Sequence, residues 1–484
     1  MKLVLVRPPF YSLFGVTTPK MKTYPLNLLY LATYVRNSEN HSVAIVDGEC
    51  VSVPELIQPE LRGEDPEIMM NRSIPRMIET LNNPEHALWN EMISLVLSHD
   101  PDVVGITCNS GAMDTVRLLS KKLKVEGLPV ILGGSHPSVL PEQSLNYTGA
   151  DFAITGEGEA ALLELMYSLE SGRNFHDIKS LAWRDGSSIK VNPRAELIHD
   201  IDMLPIPDRS LIDRNQYFGE VILTGRGCPF NCAYCASRNI WGKRARLRSV
   251  GSVIEELLIL KKQATEYHPS ALNDSVQRED RPGHWVVKVL DDTFTVIRKR
   301  TFELLDQIIQ NGLNCFEYTG GVRADTLDET LALKMRQANF RRVTLGVESG
   351  SPRILEMIRK GETNEDVKRA FKVLKNAGIK THAFFMIGLP DETPQDIELT
   401  KELILEIQPD HVEINMVTPY PGTDLFDRLI NDNPENIDRW YRWFHQGMAT
   451  HSERLGYDLD EAYTDFLSFA KNYHRDRTEH VIQQ

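Results

Sequence analysis

The stretch Thr224-Gly-Arg-Gly-Cys228-Pro-Phe-Asn-Cys232-Ala-Tyr-Cys235 holds three of the six cysteines of the chain within eight residues. The cysteines are separated by three residues and then by two, and the stretch follows a predicted strand. Three thiolates can bind three irons of a [4Fe-4S] cluster and leave the fourth iron open to a small molecule. The spacing therefore predicts Cys228, Cys232 and Cys235 as ligands of such a cluster.

Zinc is the alternative metal for grouped cysteines, and in structural sites it takes four ligands, usually Cys or His. The nearest histidines in sequence are His199 and His268, so the stretch supplies no local fourth ligand. This favours iron over zinc. The three scattered cysteines are expected to be buried small residues; they are Cys50, Cys108 and Cys315.

Six strand-like segments alternate with helical ones from the cysteine stretch onward. This alternation indicates one parallel sheet with crossover helices, and six such units predict a partial or closed (β/α)6 barrel. In such barrels the chemistry lies at the carboxyl ends of the strands. The predicted strands are Val221–Thr224, Val286–Leu290, Phe316–Thr319, Val343–Val347, Thr381–Ile387 and His411–Met416.

An earlier series of alternating segments predicts a second α/β domain, doubly wound and Rossmann-like, about residue 1 to residue 190. Glycines end several of its strands, where such sheets bind ligands. Residues 51–100 are polar and interrupted by prolines, which predicts an insertion. The predicted strands are Lys2–Val6, Val43–Val46, Val103–Thr107, Val130–Leu132 and Phe152–Ile154.

The resulting domain plan has four parts. Residues 1–190 form the first α/β domain, 191–214 a linker, 215–425 the barrel core and 426–484 a short helical C-terminal cap. Residues 180–215 contain three prolines and are expected to bridge the two domains, and residues 264–285 are expected to be a loop.

Charge and hydropathy exclude some classes of function. The 54 basic and 68 acidic residues give a net charge of −14, which argues against a broad nucleic-acid-binding face. No segment reaches the roughly 18 consecutive apolar residues of a membrane span. We therefore expect a cytoplasmic protein without a nucleic-acid partner.

The cysteine stretch and the strand ends after it resemble the radical S-adenosylmethionine (SAM) superfamily over residues 215–425. The matching strand ends are Asp291–Phe294, Gly320–Asp325, Gly346–Ser351, Phe385–Glu392 and Thr418–Thr423. The resemblance implies a SAM-binding [4Fe-4S] cluster that is reduced by a partner such as flavodoxin or ferredoxin. The residues that it implies for SAM are Tyr234, Gly320, Arg323, Glu348 and Ser349. The resemblance also implies that Asp291 and Asp292 contact SAM or support the structure, and that they do not transfer protons.

The segments Gly133–Glu142 and Asp151–Glu159 resemble the cobalamin-binding domain of one large branch of radical SAM enzymes, and Leu204–Arg209 is also typical of that branch. The resemblance implies that Gly133, Gly134, Gly156 and Glu157 bind cobalamin. The sequence lacks the D-x-H-x-x-G motif whose histidine ligates cobalt in many cobalamin proteins. His136 could substitute, but a hydrogen-bonding loop residue is the favoured interpretation. A domain that has lost its cofactor is the alternative.

The resemblance implies methylation of an unactivated carbon of a small molecule. One SAM supplies the methyl group through cobalamin, and a second is cleaved to a 5′-deoxyadenosyl radical that activates the substrate. The rival is radical cyclisation or oxidation by the same architecture, and a non-catalytic cobalamin or iron–sulfur sensor is a remote alternative. A methylthiotransferase would need three further cluster cysteines near the N-terminus, where only Cys50 and Cys108 lie.

Overall fold

A computed structural model describes residues 1–10, 24–51, 66–172, 174–217, 219–266, 286–313, 316–430, 437, 439–442 and 455–482. The chain divides into two compact units. The first holds residues 1–218 and 239–242 with the described part of 431–447, and the second holds the other described residues. Within the described ranges, every helix is too short or too polar to cross a lipid bilayer.

The first unit contains a seven-stranded sheet in the order β2-β1-β3-β4-β5-β6-β7. The first five strands of this order are parallel, and the last two are antiparallel. All five predicted strands are present. The elements are β1 (Lys2–Arg7), α1 (Leu26–Arg36), β2 (Ser42–Asp47), α2 (Pro66–Asn82), α3 (Ala87–Leu97), β3 (Val103–Thr107), α4 (Met113–Val125), β4 (Val130–Gly133), α5 (Ser135–Val139), α6 (Pro141–Thr148), β5 (Phe152–Ile154), α7 (Glu159–Ser171), β6 (Leu181–Asp185) and β7 (Ser188–Val191).

The strand order of the first unit reverses at β1. The chain passes from β1 to β2 on one side, and it returns past β1 to build β3, β4 and β5 on the other. Strand β1 is buried on both faces from Leu3 to Val6, as expected for a central parallel strand. The predicted doubly wound fold is confirmed. Such a sheet has its ligand crevice outside the carboxyl ends of β1, β3 and β4.

Part of the segment 51–100, predicted as an insertion, packs into the core of the first unit. Helix α3 connects β2 to β3, and its Trp89 and Met92 side chains are fully buried. The indole Nε1 of Trp89 donates to the carbonyls of Thr80 (3.1 Å) and Asn83 (3.0 Å). The overall composition of residues 51–100 gives no sign of this burial, although α3 itself is largely apolar.

The predicted bridge at residues 180–215 begins with a hairpin. Strands β6 and β7 pair antiparallel, and Gly186 supplies the positive φ (62°) that their tight turn requires. Because β6 also pairs with β5, the hairpin extends the sheet of the first unit. Proline content indicated a linker here, but the prolines lie beyond the hairpin.

The second unit contains a six-stranded parallel sheet in the order β15-β14-β13-β12-β11-β8. Strands β15 and β8 form its two edges, so the predicted partial (β/α)6 barrel is confirmed. The elements are β8 (Glu220–Ile222), β9 (Gly225–Arg226), α8 (Ser237–Trp241), β10 (Arg246–Leu247), α9 (Val250–Glu266), β11 (Val287–Val289), α10 (Arg298–Gln310), β12 (Phe316–Val322), α11 (Glu329–Gln337), β13 (Phe340–Glu348), α12 (Pro352–Met357), α13 (Asn364–Asn376), β14 (Lys380–Ile387), α14 (Pro394–Ile407), β15 (His411–Met416), α15 (Asp424–Leu429) and α16 (Leu459–Ile482).

Side chains of α16 bond to the outer backbone of edge strand β15 and of the turn before it. His474 Nε2 accepts the Val412 N–H (3.3 Å), and the Tyr463 hydroxyl donates to the Ile414 carbonyl (3.3 Å). The Tyr473 hydroxyl donates to the Pro409 carbonyl (2.7 Å). These contacts occupy backbone groups that an exposed edge would offer to another strand.

The described part of the predicted cap at residues 426–484 includes the end of α15, a short helical turn at Trp440–Arg442 and the long helix α16. Trp440 lies in a short helical turn of the first unit, where it is fully buried and contacts the ring of His136 edge-on at 4.5 Å. It is therefore a core residue. Cys315 lies outside the described residues.

Replacing Trp89 with Ala should lower the free energy of unfolding of the first unit by about 3–5 kcal/mol, because it removes a fully buried aromatic side chain. Leu97→Ala is the matched control on the same helix, since Leu97 is exposed. Guanidinium unfolding followed by circular dichroism measures both. Equal, small losses in the two variants would show that α3 is a dispensable insertion.

Candidate active site

The three predicted cluster ligands lie on one loop after β8. All three thiols are free; Cys228 and Cys232 are half-buried and Cys235 is exposed. Desolvation of its sulfur atom raises the pKa of Cys235 to about 11 although part of the residue is exposed, and the charges of Asp292, Cys232 and Cys228 raise it further. Three thiols and the Asp292 carboxylate thus lie together at this loop. The donor set fits an iron–sulfur cluster.

Two carboxylates after β11 hold the cysteine loop in place. Asp292 Oδ2 accepts from the Gly227 amide (3.0 Å) and from the Ser237 hydroxyl (3.0 Å), which flank the three cysteines on either side. Asp291 accepts the Thr224 amide (2.6 Å). Burial raises the pKa of Asp291 to about 6, against the opposing effect of its bonds to Thr224. These bonds give both aspartates a positioning function.

Tyr234 and Glu348 are far apart in sequence but meet in the structure. The Tyr234 hydroxyl donates to Glu348 Oε1 (2.9 Å), and Lys360 Nζ lies 3.0 Å from the same oxygen. Lys360 also lies 3.3 Å from Glu362 Oε2. Its two carboxylate neighbours raise the pKa of Lys360 above its usual range despite burial. Lys360 is thus a buried cation shared by two carboxylates.

Backbone strain is located at Glu348. This residue has a φ of +71°, which side-chain-bearing residues seldom adopt, and the pairing of β13 with β14 shifts register there. A Cβ atom at Gly346 would lie 2.5 Å from Glu348 Oε1. The glycine therefore makes room for the turned carboxylate at the end of β13.

Arg323 follows β12 and contacts the cysteine loop. Its guanidinium lies 3.7 Å from the ring centroid of Phe230, which is in the loop between the first two cysteines. Asp325 binds it through two oxygens (3.0 and 2.9 Å), and it donates to the Lys360 carbonyl (2.7 Å). Arg323 therefore links the cysteine loop to the Lys360 cluster.

The two remaining predicted SAM residues are Ser349 and Gly320. The Ser349 hydroxyl is fully buried, accepts the Ser351 amide (3.1 Å) and lies 3.4 Å from Thr400 Oγ1, so it is used within its own loop. Gly320 lies in the backbone of β12.

Glu392, after β14, is a further buried carboxylate of the strand ends. It accepts the Gly388 amide (2.7 Å) and the Tyr457 hydroxyl (2.7 Å), and burial raises its pKa to about 7. It fixes the glycine-rich loop after β14. Sequence analysis gave no role to Glu392, Lys360, Glu362 or Phe230. Arg359 and Gly361, on either side of Lys360, both have a positive φ (53° and 71°).

The predicted cobalamin residues lie at the carboxyl ends of β4 and β5 in the first unit. Ser138 joins the two ends, because its hydroxyl donates to the Gly134 carbonyl (2.7 Å) and accepts the Gly156 amide (2.9 Å). A Cβ at Gly134 would lie 2.6 Å from the Cys108 carbonyl oxygen, whereas Cβ atoms at Gly133 and Gly156 would meet nothing within 4 Å. The strand ends thus offer open backbone, which fits a large cofactor.

Glu157 and His136 already have partners within the first unit. Glu157 Oε2 accepts the Ile198 amide (2.8 Å). His136 is buried; its Nδ1 lies 2.8 Å from the Ser110 hydroxyl and its Nε2 lies 2.9 Å from Gln143 Oε1. Burial lowers the pKa of His136 to about 4. With both ring nitrogens engaged, His136 has no free position for cobalt.

Comparisons with known proteins agree with both units. Residues 222–404 match the model of the radical SAM superfamily, and residues 13–166 match the model of the B12 binding domain. An uncharacterised methyltransferase of Pyrococcus horikoshii is 32% identical over 99% of this chain and 95% of its own length. The anaerobic magnesium-protoporphyrin IX monomethyl ester cyclase of Rubrivivax gelatinosus is 28% identical over 77% of this chain and 66% of its own.

Among solved structures, the radical SAM methyltransferase TsrM from Kitasatospora setae, with tryptophan substrate and a SAM analogue bound, has a similar fold. Its TM-score is 0.66 at 18% identity, and the match covers 88% of this chain and 75% of TsrM. The chain therefore belongs to the radical SAM superfamily, in the branch with an N-terminal B12-binding domain, and is an enzyme whose cofactors are a [4Fe-4S] cluster, SAM and cobalamin.

Proposed function

We propose that the chain is a cobalamin-dependent methyltransferase that acts on an unactivated carbon of a small-molecule substrate. The observation that carries this proposal is that one chain contains both the cysteine loop and a B12-binding unit. In that unit both ring nitrogens of His136, near the strand ends, are hydrogen-bonded to other residues. The methyltransferase named among the relatives supports it, since that relationship extends over nearly the whole of both chains.

The cofactors supply the difficult chemistry, which is a radical from SAM and a methyl group from cobalamin. The chain binds and orients them. We assign Cys228, Cys232 and Cys235 to the cluster, with Asp292 holding the loop that carries them. Tyr234, Arg323 and Glu348 are assigned to SAM, together with Gly320 and Ser349.

For Ser349 the support is its place in the loop after β13, because its hydroxyl is bonded within that loop. Residues 1–190 are assigned to cobalamin and 215–425 to the radical core. Gly133, Gly134, Gly156 and Glu157 would form the cobalamin cradle, and Glu157 Oε2 also accepts the Ile198 amide. A cobalt without a strong lower ligand is easier to reduce, which suits methyl transfer from SAM.

A second function, radical cyclisation or oxidation, is favoured by one observation. The cyclase of Rubrivivax gelatinosus matches over 77% of this chain. The strand-end residues serve both reactions, because each begins with the same radical. The two functions differ in one product of SAM, because only methyl transfer forms S-adenosylhomocysteine.

The proposal also includes a reducing partner and a compartment. Reduction of the cluster needs a one-electron donor of low potential, and a flavodoxin or ferredoxin meets that need. The free cysteines of the loop suit the reducing cytoplasm. The net charge of −14 gives no support to a nucleic-acid partner.

Reduced, reconstituted protein with hydroxocobalamin should convert SAM to both 5′-deoxyadenosine and S-adenosylhomocysteine, measured by liquid chromatography. Leaving out cobalamin should abolish the second product alone, because only methyl transfer produces it. Replacing Cys228, Cys232 and Cys235 together with Ala should abolish the formation of 5′-deoxyadenosine. The control, Cys50→Ala, should still form it. Wild-type protein that never forms S-adenosylhomocysteine would support the cyclisation or oxidation alternative.

Glu348→Ala should weaken SAM binding by roughly 10- to 150-fold, the equivalent of losing a charged hydrogen bond of about 1.5–3 kcal/mol. Anaerobic calorimetry of the cluster-bearing protein measures the Kd. Glu356→Ala, an exposed glutamate on neighbouring helix α12, should leave the Kd unchanged. Equal affinities in the two variants would remove Glu348 from the SAM site.

Protein loaded with hydroxocobalamin should retain about one cobalt per chain and show a base-off absorption spectrum without a histidine ligand. His136→Ala should show the same spectrum, because both nitrogens of His136 are hydrogen-bonded within the first unit. Lys121→Ala, at an exposed side chain on α4, controls for general loosening of that unit. A change of spectrum confined to the His136 variant would identify this residue as a cobalt ligand.

A further inference from the structure

A second group of metal-binding side chains lies at the opposite end of the barrel strands from the cysteines. His382 is near the amino end of β14, and His411 begins β15. Together with Glu413 they place one ligand atom each within 4.8 Å of one another. The cysteine loop, in contrast, follows the carboxyl end of β8. The two groups are therefore separate sites.

Strand register brings these three side chains together. His382 and His411 are paired residues of neighbouring parallel strands. Because side chains alternate along a strand, Glu413 points to the same face as His411. The two imidazole centroids are 4.4 Å apart, and His382 Nε2 lies 3.2 Å from Glu413 Oε2. The backbone itself thus positions two nitrogens and a carboxylate.

His382 carries an unsatisfied nitrogen. Its Nε2 is buried and makes no hydrogen bond to any residue that the structure describes, although the Glu413 carboxylate is close. The carboxylate must therefore lie away from the direction in which this nitrogen bonds. A buried polar atom without a partner in a native protein calls for an ion or a water molecule.

The surroundings of His411 hold its ring and leave access from solvent. His411 is exposed, and its ring stacks on that of His474 at 5.2 Å and an angle of 22°. His474 is fixed in turn by its bond to the Val412 amide (3.3 Å). His411 is therefore in contact with solvent. Arg342 also influences His411 electrostatically and opposes a cation, so affinity depends on the three ligands.

We propose that His382, His411 and Glu413 bind a divalent transition-metal ion, with Zn²⁺ as the first expectation. Two imidazoles and one carboxylate are borderline ligands that suit such ions, and three protein ligands leave a position for water. The active sites of such barrels lie at the carboxyl ends of the strands, whereas residues at the amino ends stabilise the fold. The ion would therefore join β14 to β15.

The test uses the full chain with its cluster reconstituted, so that iron occupies the cysteines. The protein is treated with a mild chelator, incubated with Zn²⁺ alone and passed through a desalting column. Elemental analysis should find about one zinc per chain beside the cluster iron. The thermal denaturation midpoint should rise with Zn²⁺, because the ion binds the folded state.

His382→Ala and the isosteric Glu413→Gln should lose the zinc and the rise in midpoint while keeping their iron. His199→Ala, at an exposed histidine outside the group, should behave as wild type. Zinc retained by both site variants, or absent from wild type, would overturn the proposal. Neither measurement involves SAM turnover or cobalamin, so the outcome is independent of the proposed function.

Discussion

The shared edge at which parallel strands end is the constraint on which both units depend. Each strand of a parallel sheet delivers the residues after it to the same edge, whatever their distance in sequence. The second unit uses this edge to bring Tyr234 beside Glu348 and Arg323 beside Phe230. The first uses it to join the glycine-bearing ends of β4 and β5 through Ser138. Loop residues therefore gain precise positions from buried strands that carry no chemistry.

Charge at the barrel edge is balanced inside the protein. Lys360 lies between Glu348 and Glu362, and Arg323 lies between Asp325 and Glu362. Removing one member of such a buried group leaves an uncompensated charge, which typically costs several kcal/mol. The strained backbone of Glu348 is tolerated in this setting, because its carboxylate has two donors close by. The contacts to the Glu348 carboxylate thus offset the backbone strain at the end of β13.

Much of the fold could be predicted from sequence because hydrophobic runs report buried strands directly. The six barrel strands and the five parallel strands of the first unit are examples. Trp89 shows the limit, since α3 lies within residues 51–100, whose polar and proline-interrupted composition predicts an insertion. The positions of Lys360 and Glu362 in the site could not be predicted from sequence either. Glu348 and Arg323, which contact them, come from the ends of β13 and β12, so no local pattern indicates these contacts. The cysteine spacing, in contrast, is local.

The closure of edge strand β15 by α16 has a consequence for synthesis of the chain. The strand is complete at Met416, but its cover starts only at Leu459. At roughly 5–20 residues per second, the ribosome needs several seconds to supply the tyrosines and the histidine that occupy the edge. For that interval a nearly finished barrel has an open strand. The last helix therefore acts as a late closing step, and ribosomes that pause between these two points prolong the exposure of the nascent edge to neighbouring chains.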